Sequence, residues 1–76
     1  MEFPQYRKYK NIETYFKIIS EKKFEEIVIM GSKTIKHTIV AKQYPEILRI
    51  HDMLNCEGDA WEVVNKQIYD NINNRN

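Results

Sequence analysis

The sequence predicts an α+β fold, in which a small antiparallel β-meander of three to five strands packs against one C-terminal helix. Apolar and polar residues alternate between residues 12 and 42, and apolar residues near the C-terminus recur at intervals of three and four. The chain of 76 residues, 42% hydrophobic and 30% charged, has the composition of a folded protein. Because domains usually contain about 100–150 residues, we expect residues 1–76 to form a single small domain.

The first two strands of the meander are predicted at residues 12–20 and 24–30. In the first segment, Phe16 and Ile18 fall on one face and Lys17 falls on the other. This alternation, with many β-branched and aromatic side chains, is typical of a strand. The polar segment between the two strands is short, which favours an antiparallel connection.

The third strand is predicted at residues 34–42, where Ile35, His37 and Ile39 share one face. Gly31 precedes it and supplies the positive φ that a tight hairpin turn requires. Three consecutive strands joined by short links form an antiparallel meander.

Residues 45–54 fit two structures. A helix would place Pro45 in its first turn and Ile47, Ile50 and Leu54 on one stripe. A strand would turn alternate apolar residues inward, and periodicity alone does not separate the two for a short apolar segment. We favour a strand that extends the sheet, because isoleucine-rich segments that follow an X-Pro step prefer extended backbone.

The C-terminal segment also has two interpretations, and both end in a helix. In one, Asp59 caps a long helix and Glu62 completes a capping box three residues later. In the other, residues 61–64 form a last short strand and Asn65 caps a shorter helix that starts at Lys66. Either helix would lay its apolar stripe on the sheet.

The cysteine count and the apolar runs bear on the location of the protein. Cys56 is the only cysteine, so no intrachain disulfide can form, and a lone thiol suits a reducing compartment. The sequence begins without the pattern of a signal peptide, and its longest apolar run, residues 27–30, is far shorter than the ~20 residues of a membrane span. We therefore expect a cytoplasmic protein that does not enter a membrane. Self-association is the leading way for so small a chain to bury more apolar surface.

The N-terminal segment interleaves tyrosines with cations and supplies the candidate binding residues. Residues 1–42 carry a net charge of +4 and residues 43–76 a net charge of −3. Cations neutralise phosphate and rings stack on bases, so this mixture is compatible with nucleic-acid binding. The interpretation we favour is an edge strand whose lysines and arginine oppose aggregation while the tyrosines pack. The candidate contacts are Tyr6, Arg7, Lys8, Tyr9, Lys10, Tyr15 and Lys17.

The possible catalytic residues are His37, His51, Asp52 and Cys56. A cysteine nucleophile needs an imidazole beside it and a third group to orient that imidazole, and no local signature surrounds Cys56. Structural zinc needs four closely spaced cysteine or histidine ligands, and the chain has three candidates in all. We predict no catalytic residue, no metal site and no cofactor.

These observations predict a non-enzymatic protein-interaction module that acts as a homodimer or on an unidentified protein partner. We expect Tyr6, Arg7, Tyr9 and Tyr15 to lie on or near a sheet edge, where a partner could add a strand through main-chain hydrogen bonds. The alternative function is nucleic-acid binding, in which the cations of the basic aromatic segment contact phosphate.

Overall fold

The computed structural model of the protein describes residues 2–74, apart from the side chain of Asp59. It shows an antiparallel five-stranded sheet and two α-helices, which confirms the α+β class. The strand order across the sheet is β4-β3-β2-β1-β5. The elements are β1 (Gln5–Tyr9), β2 (Thr14–Ser20), β3 (Lys23–Met30), β4 (Lys33–Val40), α1 (Tyr44–Asn55), β5 (Trp61–Val63) and α2 (Lys66–Asn73), with a short 3-10 turn at Glu57–Asp59.

The predicted meander is confirmed as β2, β3 and β4, each antiparallel to the next. Gly31 has a φ of 62° in the two-residue turn between β3 and β4, where it supplies the expected left-handed conformation. The register of this hairpin is regular from Met30 opposite Lys33 to Lys23 opposite Val40. β4, the outermost strand of the meander, is therefore paired with β3 along its whole length.

The prediction of one helix is wrong, because the segment expected to extend the sheet forms α1. Pro45 occupies the first turn, where its missing N–H costs no hydrogen bond. The Glu46 carboxylate accepts hydrogen bonds from the backbone N–H groups of Lys42 and Gln43, which caps the helix start. Burial of one apolar stripe on the sheet outweighs the intrinsic preference of isoleucine for extended backbone.

The C-terminal segment follows the second of the two interpretations. Residues Trp61–Val63 form the short strand β5, and Asn65 caps α2 by accepting a hydrogen bond from the Ile68 N–H at 2.8 Å. The basic aromatic strand β1 lies one position in from the edge, since β5 pairs with it. Tyr15 lies on β2 at the centre of the sheet.

Two apolar clusters lie on opposite faces of the sheet, because neighbouring residues of a strand point to opposite sides. Phe16 belongs to the cluster beneath α1, and the adjacent Tyr15 belongs to the cluster beneath α2. The α1 cluster is Phe16, Ile18, Phe24, Ala41, Ile50 and Met53. The α2 cluster is Tyr6, Tyr15, Ile27, Val64 and Tyr69. The two helices thus sandwich the sheet.

Candidate functional site: the open edge of the sheet

The tyrosines of the basic aromatic segment, which are Tyr6, Tyr9 and Tyr15, pack in the two apolar clusters. Tyr6 and Tyr15 are 8% and 9% exposed, and the Tyr6 ring packs 5.2 Å from the ring of Tyr69 on α2. Tyr9 lies on the opposite face, where it meets Phe16 edge-on and stacks on Trp61. The three tyrosines therefore do not form one exposed surface.

Arg7 is buried and donates all of its described hydrogen bonds within the protein. Its Nε donates to the Met53 carbonyl at 2.9 Å, and its Nη2 donates to the Leu54 carbonyl at 3.2 Å. Further bonds reach the Tyr6 carbonyl and the Gln5 side chain, both at 2.9 Å. Since the last turn of α1 contains no basic residue, Arg7 supplies from β1 the cation that a helix C-terminus favours.

The lysines of the same segment are more accessible than Arg7. Lys8 donates to the Tyr9 carbonyl at 2.7 Å and lies 3.7 Å from a carboxylate oxygen of Glu62. Lys17 is half-buried opposite Glu25, and Lys10 is exposed. A contact between these cations and nucleic acid stays a prediction. The hydrogen bonds and the ion pair that Arg7 and Lys8 make within the protein do not support it.

The residues considered for catalysis lie on different elements. His37 belongs to β4, His51 and Asp52 belong to α1, and Cys56 ends α1 in a left-handed conformation. The Cys56 thiol contacts the Met53 carbonyl at 3.8 Å. Across residues 2–74, no group of three or more histidine, cysteine, aspartate or glutamate side chains is arranged to hold a metal ion. No helix in that range is long and apolar enough to cross a membrane.

Among the described elements, the outer edge of β4 offers the longer row of backbone hydrogen-bonding groups that no other strand pairs. Within the described part of the chain, β4 pairs with β3 alone. Alternate residues of an antiparallel strand direct their N–H and C=O groups to opposite sides. Just past β4, the Ala41 N–H donates to the Lys22 carbonyl beside β3. The odd-numbered residues of β4 therefore bond to β3, and the outward set is Thr34, Lys36, Thr38 and Val40.

The two edges of the sheet differ in length and in protection. The opposite edge is β5, which has 3 residues, whereas β4 has 8. Short edge strands are a common protection against unwanted pairing. On β4, only Lys33 and Lys36 provide charge, and the strand contains neither proline nor a bulge. The long edge is thus the less protected of the two.

The face of the sheet that carries α1 is apolar beside this edge. Val28 and Met30 are alternate residues of β3, and Ile35 lies directly opposite Val28 on β4. We call these three residues the apolar strip. Met30 is 59% exposed and Ile35 is 39% exposed, so α1 does not cover them. A strand added to β4 would bring its own side chains next to the apolar strip.

The face that carries α2 forms a polar cleft of about 180 Å³ beside the same edge. Thr38 lines it from β4, Glu25 from β3 and Tyr69 from α2. The Tyr69 hydroxyl donates to the Glu25 carboxylate at 3.4 Å. Burial, followed by the nearby Glu25 charge, raises the pKa of Tyr69 above its ordinary value. The Lys36 ammonium group donates to the Asn73 carbonyl at the end of α2.

Comparisons with known proteins give no functional information on this site. The chain matches no protein-family model, no curated protein and no solved structure.

The sequence contained part of the signal for this site. The alternation of residues 34–42 predicts the strand and its two faces, but not its position in the sheet. The strand expected at residues 45–54 would have extended the sheet. Because that segment is helical, the outer edge of β4 pairs with no strand in the range 2–74 that the structure describes.

Proposed function

We propose that this protein is a non-enzymatic interaction module, which binds an extended protein segment by adding it as a strand to the outer edge of β4. The main support for the proposal is that β4 is a regular edge strand of eight residues. Among the described elements, no strand pairs with the outward backbone groups of Thr34, Lys36, Thr38 and Val40. In strand addition, main-chain hydrogen bonds supply affinity and flanking side chains supply selectivity.

The two faces beside the edge favour different side chains on the added strand. On the α1 face, the apolar strip favours an aliphatic residue opposite Ile35. On the α2 face, the Glu25 carboxylate in the polar cleft favours a basic or hydrogen-bonding residue opposite Thr38. The preferred ligand is therefore an extended segment in which aliphatic and basic or hydroxyl residues alternate.

A random octapeptide library displayed on phage tests the proposal, with the protein immobilised at low density. The comparison is between wild type, Lys36→Pro and the control Lys36→Ala. Proline at an outward position removes only an N–H that faces solvent, so the sheet keeps its own hydrogen bonds. Lys36→Ala removes the same side chain but retains the backbone donor. Circular dichroism melts confirm that each variant is folded.

We expect peptides with the alternating pattern to be enriched on wild type and on Lys36→Ala, and at least tenfold less on Lys36→Pro (about 1.4 kcal/mol). Peptides that bind Lys36→Pro as well as wild type would place the contact elsewhere and refute the proposal. Failure of the library to yield any peptide on wild type, together with a wild type that stays monomeric in solution, would refute it as well.

A further inference from the structure

We propose that the segment added to β4 is β4 of a second copy of this chain, which forms a two-fold dimer with its axis through His37. This inference rests on the proposed function and names its partner. The two sheets would join into one continuous antiparallel sheet, with both α1 helices on the same side.

The hydrogen-bonding pattern restricts how two β4 strands can pair. A hydrogen-bonded pair across the new junction must consist of outward-facing residues in both copies, and these are the even-numbered residues. An antiparallel pairing that meets this condition has its two-fold axis at a residue, not between two residues. Three registers keep the middle of β4 paired, with the axis at Lys36, His37 or Thr38.

Side-chain chemistry selects among the three registers. An axis at Lys36 places that lysine opposite its own copy, which is destabilising. An axis at Thr38 places the basic Lys36 opposite Val40 and pairs fewer residues of the strand. An axis at His37 instead places Ile35 of one copy opposite Ile39 of the other, on the apolar α1 face.

The same register is also complementary in charge on the α2 face. It places Lys36 of one copy opposite Thr38 of the other, and Thr38 is already opposite Glu25. Two strand spacings separate Lys36 from that Glu25 by about 10 Å between Cα atoms. The two side chains together span this distance, so the ammonium group can enter the polar cleft once it releases the Asn73 carbonyl of its own copy. Lys36 would repel its own copy in the register with the axis at Lys36, whereas it meets the Glu25 carboxylate in the register with the axis at His37.

The size of the junction indicates a reversible dimer. Residues 34–40 of each copy extend for about 24 Å, and a sheet about 10 Å thick buries on the order of 500 Å² in total along that length. This area lies below the ~1,200 Å² of standard protein interfaces. We therefore expect the dimer to have a dissociation constant on the order of 10⁻⁴ M. The protein should then be monomeric at low micromolar concentration.

Three single-cysteine variants, made in a Cys56→Ser background, report the register. His37→Cys places two thiols in a non-hydrogen-bonded pair, where Cα atoms are about 4.5 Å apart and a disulfide fits. In the same register, Lys36→Cys and Thr38→Cys place each cysteine about 9 Å from its copy, beyond disulfide reach. Each protein is equilibrated at 0.5 mM with oxidised and reduced glutathione, and covalent dimer is measured by intact mass.

We expect at least tenfold more disulfide dimer for His37→Cys than for either of the other two variants. Predominant dimer from Thr38→Cys, which keeps Lys36, would overturn the register, because that variant reports an axis at its own position. Equal dimer from all three would indicate random collision and would overturn the proposal.

Sedimentation equilibrium of wild type, Thr38→Pro and Thr38→Ala tests the dimer without cysteines. We expect the wild-type mass to rise from 9.2 kDa toward twice that value between 10 µM and 1 mM. The mass of Thr38→Ala should rise in the same way. Thr38→Pro lacks the backbone N–H that donates across the new junction, so it should stay at the monomer mass. A wild type that stays monomeric at 1 mM overturns the second copy as partner. If library peptides then still bind at the Lys36 edge, the proposed function stands; if they do not, both proposals fail.

Discussion

Replacing Arg7 with methionine is the substitution that most directly tests how this small sheet holds its first helix. Arg7 is 6% exposed and joins β1 to the C-terminus of α1 through the carbonyls of Met53 and Leu54. Methionine keeps the apolar stem of the side chain but removes the guanidinium, so Arg7→Met isolates the charged hydrogen bonds.

The magnitude follows from the groups that lose their donor. An unsatisfied buried carbonyl costs about 1–3 kcal/mol, and loss of a cation at a helix C-terminus costs about 0.3–1 kcal/mol. The Met53 carbonyl keeps the Cys56 N–H as a donor at 3.3 Å, which limits its share. We therefore expect Arg7→Met to lower the free energy of unfolding by about 3 kcal/mol. A chain of this length has about 4–11 kcal/mol in total, so the variant remains folded.

Urea denaturation followed by circular dichroism measures the change, with Lys22→Met as the control. Lys22 is an exposed cation in the turn between β2 and β3, so its loss should alter the free energy of unfolding by no more than about 0.5 kcal/mol. The Arg7→Met transition should shift to lower urea with an unchanged slope. A loss below about 1 kcal/mol for Arg7→Met would show that water replaces the guanidinium and would refute its role as a helix cap.

Three further substitutions test individual parts of the fold. Asn65→Ala should lower the free energy of unfolding by about 1 kcal/mol in urea denaturation, because it removes the cap of α2, whereas the exposed Asn71→Ala should not. Gly31→Ala should lower the free energy of unfolding by about 1 kcal/mol, because φ is 62° there although space for a Cβ is open. Gly31→Asn should lower it less. Equal losses in the two variants would mean that backbone strain is not the cause. Tyr69 has a higher pKa in the folded than in the unfolded chain, so its contribution is complete below pH 10 and is lost as pH rises above that value. Wild type should therefore lose stability more steeply than Tyr69→Phe above pH 10, by up to about 1.4 kcal/mol per pH unit, and parallel curves would contradict this.

The parts of the fold that local pattern determines were predictable from the sequence. Alternation identified β2, β3 and β4, and the conformational requirement at Gly31 identified the turn before β4. Capping chemistry at Asn65 offered the correct C-terminal helix as one of two interpretations. In each case the deciding interactions lie within a few residues along the chain.

The parts that depend on distant contacts were not predictable in the same way. The preference for a strand at residues 45–54 failed because burial of Ile50 and Met53 against the sheet, a long-range interaction, stabilises α1. The buried position of Arg7 depends on carbonyls 46 and 47 residues away. The candidate site depends on strand order, which the pattern of a single strand does not contain.

Amide hydrogen exchange along β4, measured by NMR at about 20 µM and about 1 mM, tests the open edge most directly. At the lower concentration, we expect slow exchange at Ile35, His37 and Ile39 and fast exchange at Thr34, Lys36, Thr38 and Val40. At the higher concentration, the second set should become slow as two copies pair. Equally slow exchange of both sets in the dilute protein would mean that the outer edge of β4 is already covered in the monomer.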